Sequence, residues 1–95
     1  MRVDILFTRP WYDDTTCYLF HWSRPLIEKA RKIGMSIRDL RRENVTRERV
    51  ERVLIEEKPR LVVLNGHGSD DAVMGQDDEI LLKACENDDM LSDKI

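Results

Sequence analysis

The sequence predicts an α/β domain with a parallel sheet, on three observations. Short apolar runs alternate with segments of helical periodicity in the order β-α-β-α-β. The run Leu61-Val62-Val63-Leu64 is unbroken and rich in β-branched residues, the pattern of a strand covered on both faces. The helical segments are bracketed by capping and stop residues. Strands joined this way are parallel with right-handed crossovers.

Val3 to Phe7 reads as the first strand, and Thr8 to Asp14 as a loop broken by Pro10 and the Asp13-Asp14 pair. Thr15, Leu19, Trp22, Leu26, Ala30 and Ile33 recur at steps of three and four, so the first helix is expected to bury that stripe. Asp13 or Asp14 caps its start, and Gly34 stops it. Pro25 is expected to kink the helix or split it near Ser23-Arg24. Met35 to Leu40 alternates apolar with polar residues and reads as the second strand. Asn44 or Thr46 caps a second helix reaching about Glu57, with Val50, Val53 and Leu54 inward and Lys58-Pro59 as its end. Beyond the third strand, Ala72 to Gly75 and Ile80 to Leu82 read as a hairpin across Gln76 to Glu79. A helix over Asp78 to Cys85 is the rival reading. Glu86 to Asp89 reads as a loop or helical turn, and Asp93-Lys94-Ile95 as the start of a further strand.

Residues 1–95 fit a single domain. Charged residues make up 37%, with 16 basic against 19 acidic side chains, net -3. The signs are interspersed, and even the richest basic stretch, Arg38 to Arg49, is interrupted by acids, so no nucleic-acid partner is expected. No apolar run approaches the roughly 20 residues of a membrane span, so no membrane partner is expected either. The amino terminus reads as a strand rather than a secretory leader. Cys17 and Cys85 lie far apart without ligand spacing and read as reduced thiols, which together predicts a cytoplasmic location.

Open α/β sheets bind ligands beyond the carboxyl ends of their strands. Two loops are expected there: Thr8 to Asp14, and Asn65 to Asp71. In the second, Gly66 and Gly68 flank His67, letting the backbone turn tightly and approach a substrate. An imidazole works as acid or base near neutral pH, and the Gly68 amide is placed to donate to a developing oxyanion. The other reading is a turn with an ordinary polar histidine. Trp11 and Tyr12 either line a pocket or cover the top of the core. Arg9 either binds an acidic substrate group or pairs with Asp13 or Asp14. His21 reads as a packing or surface residue. Asp70, Asp71, Asp77 and Asp78 match no calcium or zinc spacing, so neither metal nor cofactor is expected.

The segment from Lys58 to Gly68, strand followed by Asn65-Gly66-His67-Gly68, resembles the strand and His-Gly motif of caspase-like cysteine peptidases, the clan of gingipains, legumains, separase and CHAT domains. The resemblance extends back over the β-α-β-α-β order and forward over the Ala72 to Leu82 region, where that family carries a small hairpin. It implies a three-layer sandwich on a parallel sheet, of caspase-like or flavodoxin-like topology, incomplete in this chain. It implies His67 as general acid/base and Gly68 as an oxyanion donor. It puts Arg9, Trp11, Asn65 and Gly66 beside a peptide or protein substrate, with Arg9 where caspases hold an arginine for an acidic substrate residue.

The family's nucleophile is a cysteine at the end of the next core strand, beyond Ile95; neither Cys17 nor Cys85 matches that position. The chain therefore reads as the amino-terminal, histidine-bearing portion of a cysteine endopeptidase, inactive alone. A carboxy-terminal segment of the same protein, or a self-associating copy, is the expected partner for its open sheet edge. The alternative is a non-catalytic flavodoxin-like or pseudo-peptidase binding module.

Overall fold

The computed structural model describes residues 2–94. Its elements are β1 (Ile5–Arg9), α1 (Asp14–Lys32), β2 (Ile37–Arg41), α2 (Arg47–Glu56), β3 (Leu61–Leu64), β4 (Ala72–Met74) and β5 (Ile80–Lys83), with 3-10 turns at Arg42–Asn44, Gln76–Asp78 and Asp88–Lys94. The molecule is mixed α/β: a parallel three-stranded sheet in the order β2-β1-β3, and an antiparallel β4-β5 hairpin.

β1 is the central strand, and all five of its residues are buried. Its alternation splits the core. Ile5 and Phe7 face Ile27 and Ala30 of α1, with Val63 beside them. Leu6 faces the other way, toward Val50, Val53 and Leu54 of α2 and Leu81 and Leu82 of β5. The two helices thus pack on opposite faces, as successive βαβ crossovers from a central strand require. The cover expected on both faces of the third strand is incomplete: β3 pairs with β1 alone among the described residues, Val62 to Leu64 are half-buried, and Leu61 is 52% exposed. An apolar run marks a strand for burial, and the occupant of its second edge is not encoded in the run itself.

Two expectations about α1 are corrected. Of the kink or split expected at Pro25, the split does not occur; the helix is continuous from Asp14 to Lys32, with Pro25 on the exposed face. The buried stripe is Thr16, Ser23, Ile27 and Ala30, while Trp22, Leu26 and Ile33 are exposed. The apolar stripe lies roughly a quarter turn from the buried one at 100° per residue. The cause lies below the helix. Arg9, Asp39 and Arg41 share the sheet face under α1 by strand alternation, with Arg9 level with Arg41. A helix over a buried guanidinium must present acceptors, and α1 presents the Ser23 hydroxyl and the Phe20 carbonyl.

The remaining elements follow their local chemistry. Asp13 is the N-cap of α1, its carboxylate accepting from the Thr16 amide at 2.8 Å. Gly34 takes φ +95° after the helix. Thr46 caps α2 by accepting from the Arg49 amide. The hairpin forms in place of the rival helix, and Gly75 lets it close: a Cβ there would meet the Val45 carbonyl at 2.6 Å and the Leu81 side chain at 2.8 Å. Residues 88–94 form 3-10 turns instead of beginning a strand, tied down by Asn87, whose amide donates to Leu81 O and Glu51 and accepts from the Lys83 amide. Ile95 lies outside the described residues. No helix among the described residues is long and apolar enough to cross a membrane.

Candidate active site

β1 and β3 run parallel, so the loops that follow them emerge at one rim. Asn65 ties the two together: its side-chain amide and its backbone amide both donate to the Thr8 carbonyl, at 3.1 and 3.2 Å. It is a brace between the strand ends. Gly66 follows at φ +139°, wedged between Pro10 of the first loop and β4 of the hairpin. A Cβ here would lie 2.8 Å from Met74 O and 3.2 Å from the Pro10 ring. Only glycine satisfies both the dihedral and the gap.

This turn delivers His67 to the rim. Its carbonyl accepts from the Met74 amide at 2.9 Å, fixing the backbone against the hairpin. Its Nε2 lies 2.7 Å from Asp13 Oδ2, and the imidazole remains 37% exposed. Asp13 is held in turn, because its Oδ1 accepts from both the amide and the hydroxyl of Thr16, at 2.8 and 2.7 Å. The Thr16 amide, then the Thr16 hydroxyl, then His67 hold the Asp13 carboxyl down to about 2, so it is a fixed anion at neutral pH. Nδ1 of His67 enters no hydrogen bond among the described residues. A carboxylate on one ring nitrogen orients the imidazole and leaves the other nitrogen for proton transfer.

Tyr12 packs edge-on to His67, with ring centroids 6.0 Å apart. Its hydroxyl donates to Asp78 at the tip of the hairpin. Burial, followed by that hydrogen bond and the charges of Asp78 and Asp13, pushes the phenol up to about 12. Gln76 closes the same seam: its side chain accepts from the Trp11 amide and donates to the Trp11 carbonyl, each at 2.8 Å. The hairpin tip is therefore latched to the first loop beside the histidine.

The residues expected to bind substrate separate. Gly68 bridges Val73 across the hairpin. The two hydrogen bonds around this bridge run from Ser69 N to Ala72 O and from Met74 N to His67 O, so neither uses the Gly68 amide. Trp11 sits on the β2 side of the rim, under the Arg42 guanidinium at 4.4 Å and against Phe20 and His21. Arg9 turns inward. It is 4% exposed, and its guanidinium donates to Asp39 at 2.8 Å, Ser23 at 2.8 Å and the Phe20 carbonyl at 2.6 Å. The expected pairing of Arg9 is corrected: its partner carboxylate is Asp39, not Asp13 or Asp14.

The functional residue that sequence reasoning missed is Asp13. Helix capping already accounted for it, and nothing in the pattern showed that its second oxygen reaches across 54 positions to His67. Cys17 lies half-buried on α1 and Cys85 exposed after β5; the hydrogen-bond partner of His67 is Asp13, and neither thiol. No group of three His, Cys, Asp or Glu side chains able to hold a metal ion occurs among the described residues. No family model, curated protein or solved structure matches the chain.

Proposed function

We propose that this chain is the histidine-bearing part of a caspase-like cysteine endopeptidase, with His67 as general acid/base toward a thiol supplied by another segment. The observation that carries the reading is the Asp13–His67 pair at the carboxyl rim, with one ring nitrogen engaged and the other available. In this reading Nδ1 takes the thiol proton, the thiolate attacks the scissile carbonyl, and the imidazolium returns the proton to the leaving amine. The Gly68 amide donates to the oxyanion.

Two further features support a missing strand and helix. The outer edge of β3 is unpaired among the described residues, next to the His67 loop. Leu61 is half exposed on the α1 face of that strand, and the exposed stripe Trp22, Leu26 and Ile33 runs along the flank of α1 away from β2. A strand added to β3 completes a three-layer sandwich and ends beside His67. A helix after it covers both apolar surfaces. The second reading, a binding module at the same rim, draws on the hydrogen-bond partner of His67 being Asp13 and neither Cys17 nor Cys85.

One experiment separates them. The longest protein encoded at the locus is treated with a peptidyl thiol-reactive ketone and mapped by mass spectrometry. The peptidase reading expects one labelled cysteine outside residues 1–95, with labelling lost in His67→Ala. Equal labelling in the variant, or no such cysteine, leaves the binding module.

A further inference from the structure

We infer a second site, for a nucleoside monophosphate, in the arginine-lined recess between α1 and the carboxyl end of β2. It lies across β1 from His67 and does not depend on the peptidase reading. Two adjoining recesses make it up. The first, about 360 Å³, is walled by Arg31 and Asp39 with Phe20, Arg24 and Arg41. The second, about 490 Å³, shares Phe20, Arg24 and Arg41 and adds Trp11, His21 and Arg42. Each is in the size range of small-ligand sites. The first runs along the flank of α1 beside β2, and the second reaches the turn at Arg42–Asn44 that follows that strand.

The charge is the first argument. The chain as a whole is net negative, yet Arg9, Arg24, Arg31, Arg41 and Arg42 meet here against Glu28, Asp39 and Glu43. Arg9 is consumed by Asp39. Arg24 and Arg41, on the wall common to both recesses, are held only by exposed or long contacts, to Glu28 at 3.1 Å and Asp39 at 3.8 Å. Two forked guanidiniums at a shared wall match the oxygens of a phosphate.

The flat surfaces are the second. Trp11, Phe20 and His21 pack with centroids 5.0 to 5.5 Å apart, and the Arg42 guanidinium lies 4.4 Å above the Trp11 ring. Arg42 holds that position at φ +53°, a left-handed conformation that costs a non-glycine residue free energy. An arginine over an aromatic wall is a platform for a heterocyclic base, in a recess that Arg24 and Arg41 also line. The ligand thus carries a phosphate for Arg24 and Arg41 and a base for the aromatic recess.

Tryptophan fluorescence tests this directly. Trp22, 68% exposed on α1, is the other tryptophan, so Trp22→Phe leaves Trp11 as the reporter. Titration with AMP is expected to quench it saturably, at least tenfold more tightly than inorganic phosphate. Arg24→Glu and Arg41→Glu, both at well-exposed side chains, are each expected to weaken binding at least tenfold with the melting temperature retained. If either variant unfolds, amide chemical-shift mapping on the unmodified chain decides, with perturbations expected at Trp11, Arg24, Arg41 and Arg42. Absent quenching, equal affinity for inorganic phosphate, full affinity in both folded variants, or shifts confined elsewhere overturns the assignment.

Discussion

Asp13 Oδ2 lies 2.7 Å from His67 Nε2 while Asp13 Oδ1 caps α1 through Thr16, so one carboxylate joins the start of a helix to the loop after β3. The two duties are separable by substitution. Asparagine caps helices about as well as aspartate, so Asp13→Asn is expected to keep the helix, with a melting temperature lowered only by the loss of the carboxylate's charge, while removing the anion that orients the imidazole. In the completed protein, His67→Ala is expected to lower kcat by roughly 10²–10⁴-fold, the usual loss for a general acid/base. Asp13→Asn is expected to lower kcat less, with KM unchanged. Peptide hydrolysis and thermal melting of both variants check this; a His67→Ala protein of full activity refutes the acid/base role.

The glycines flanking the histidine are unequal. At Gly66 a Cβ must be accommodated at φ +139° and 2.8 Å from the Met74 carbonyl. Backbone strain and overpacking each cost about 1–3 kcal/mol, so Gly66→Ala is expected to destabilise the chain by about 2–6 kcal/mol. At Gly68 the nearest atom to a Cβ is Ala72 O at 3.4 Å, and φ is ordinary. Gly68→Ala is expected to change stability by no more than about 0.5 kcal/mol, as most open surface positions do. Urea unfolding of the two variants measures the contrast.

The order of elements, the hairpin, the caps at Asp13 and Thr46 and the rim position of His67 were legible because each is written in local chemistry: periodicity, turn residues, a capping oxygen. What was illegible was set by distant partners. The α1 stripe was misassigned because amphipathicity weighs side-chain hydrophobicity, whereas Arg9 and Asp39 beneath the helix demanded Ser23 and a carbonyl. The incomplete cover over β3 was illegible because an apolar run looks alike whether or not both of its faces are packed, and Leu61 is left half exposed. The Asp13–His67 contact was invisible because it joins two loops through tertiary geometry, with no spacing rule to announce it.

Arg9 and Asp39 form a buried ion pair, and its breakage should be severe. Both are nearly inaccessible, and Asp39 Oδ1 already lacks a partner among the described residues. Arg9→Ala strands the carboxylate, and removing one member of a buried pair costs about 3–5 kcal/mol. Arg9→Met, which fills the space without the charge, leaves the same orphan. Arg9→Met combined with Asp39→Leu removes both charges and is expected to recover most of the loss. A double-mutant cycle by chemical denaturation tests this. A loss near zero in Arg9→Ala would instead return the side chain to ligand binding.

Acid should unfold this chain partly through Asp13. Its folded pKa, about 2, lies below the ordinary 3.8, so the native state prefers the ionised form. A group depressed in this way contributes stability that is complete above about pH 4 and is lost as pH falls toward 2. Glu51 acts in the same direction, lowered first by Arg47 and then by Asn87. Tyr12 works at the other extreme. With its phenol raised from 10.0 to about 12, its contribution is complete below pH 10 and disappears as pH climbs toward 12. Melting curves from pH 2 to 12 should therefore fall at both ends. Asp13→Asn should flatten the limb between pH 4 and 2, with the part owed to Glu51 persisting, and Tyr12→Phe should flatten the limb above pH 10. An acid limb unchanged in Asp13→Asn would mean that this carboxylate is not held by Thr16 and His67 in solution. The geometry of the proposed catalytic pair would fail with it.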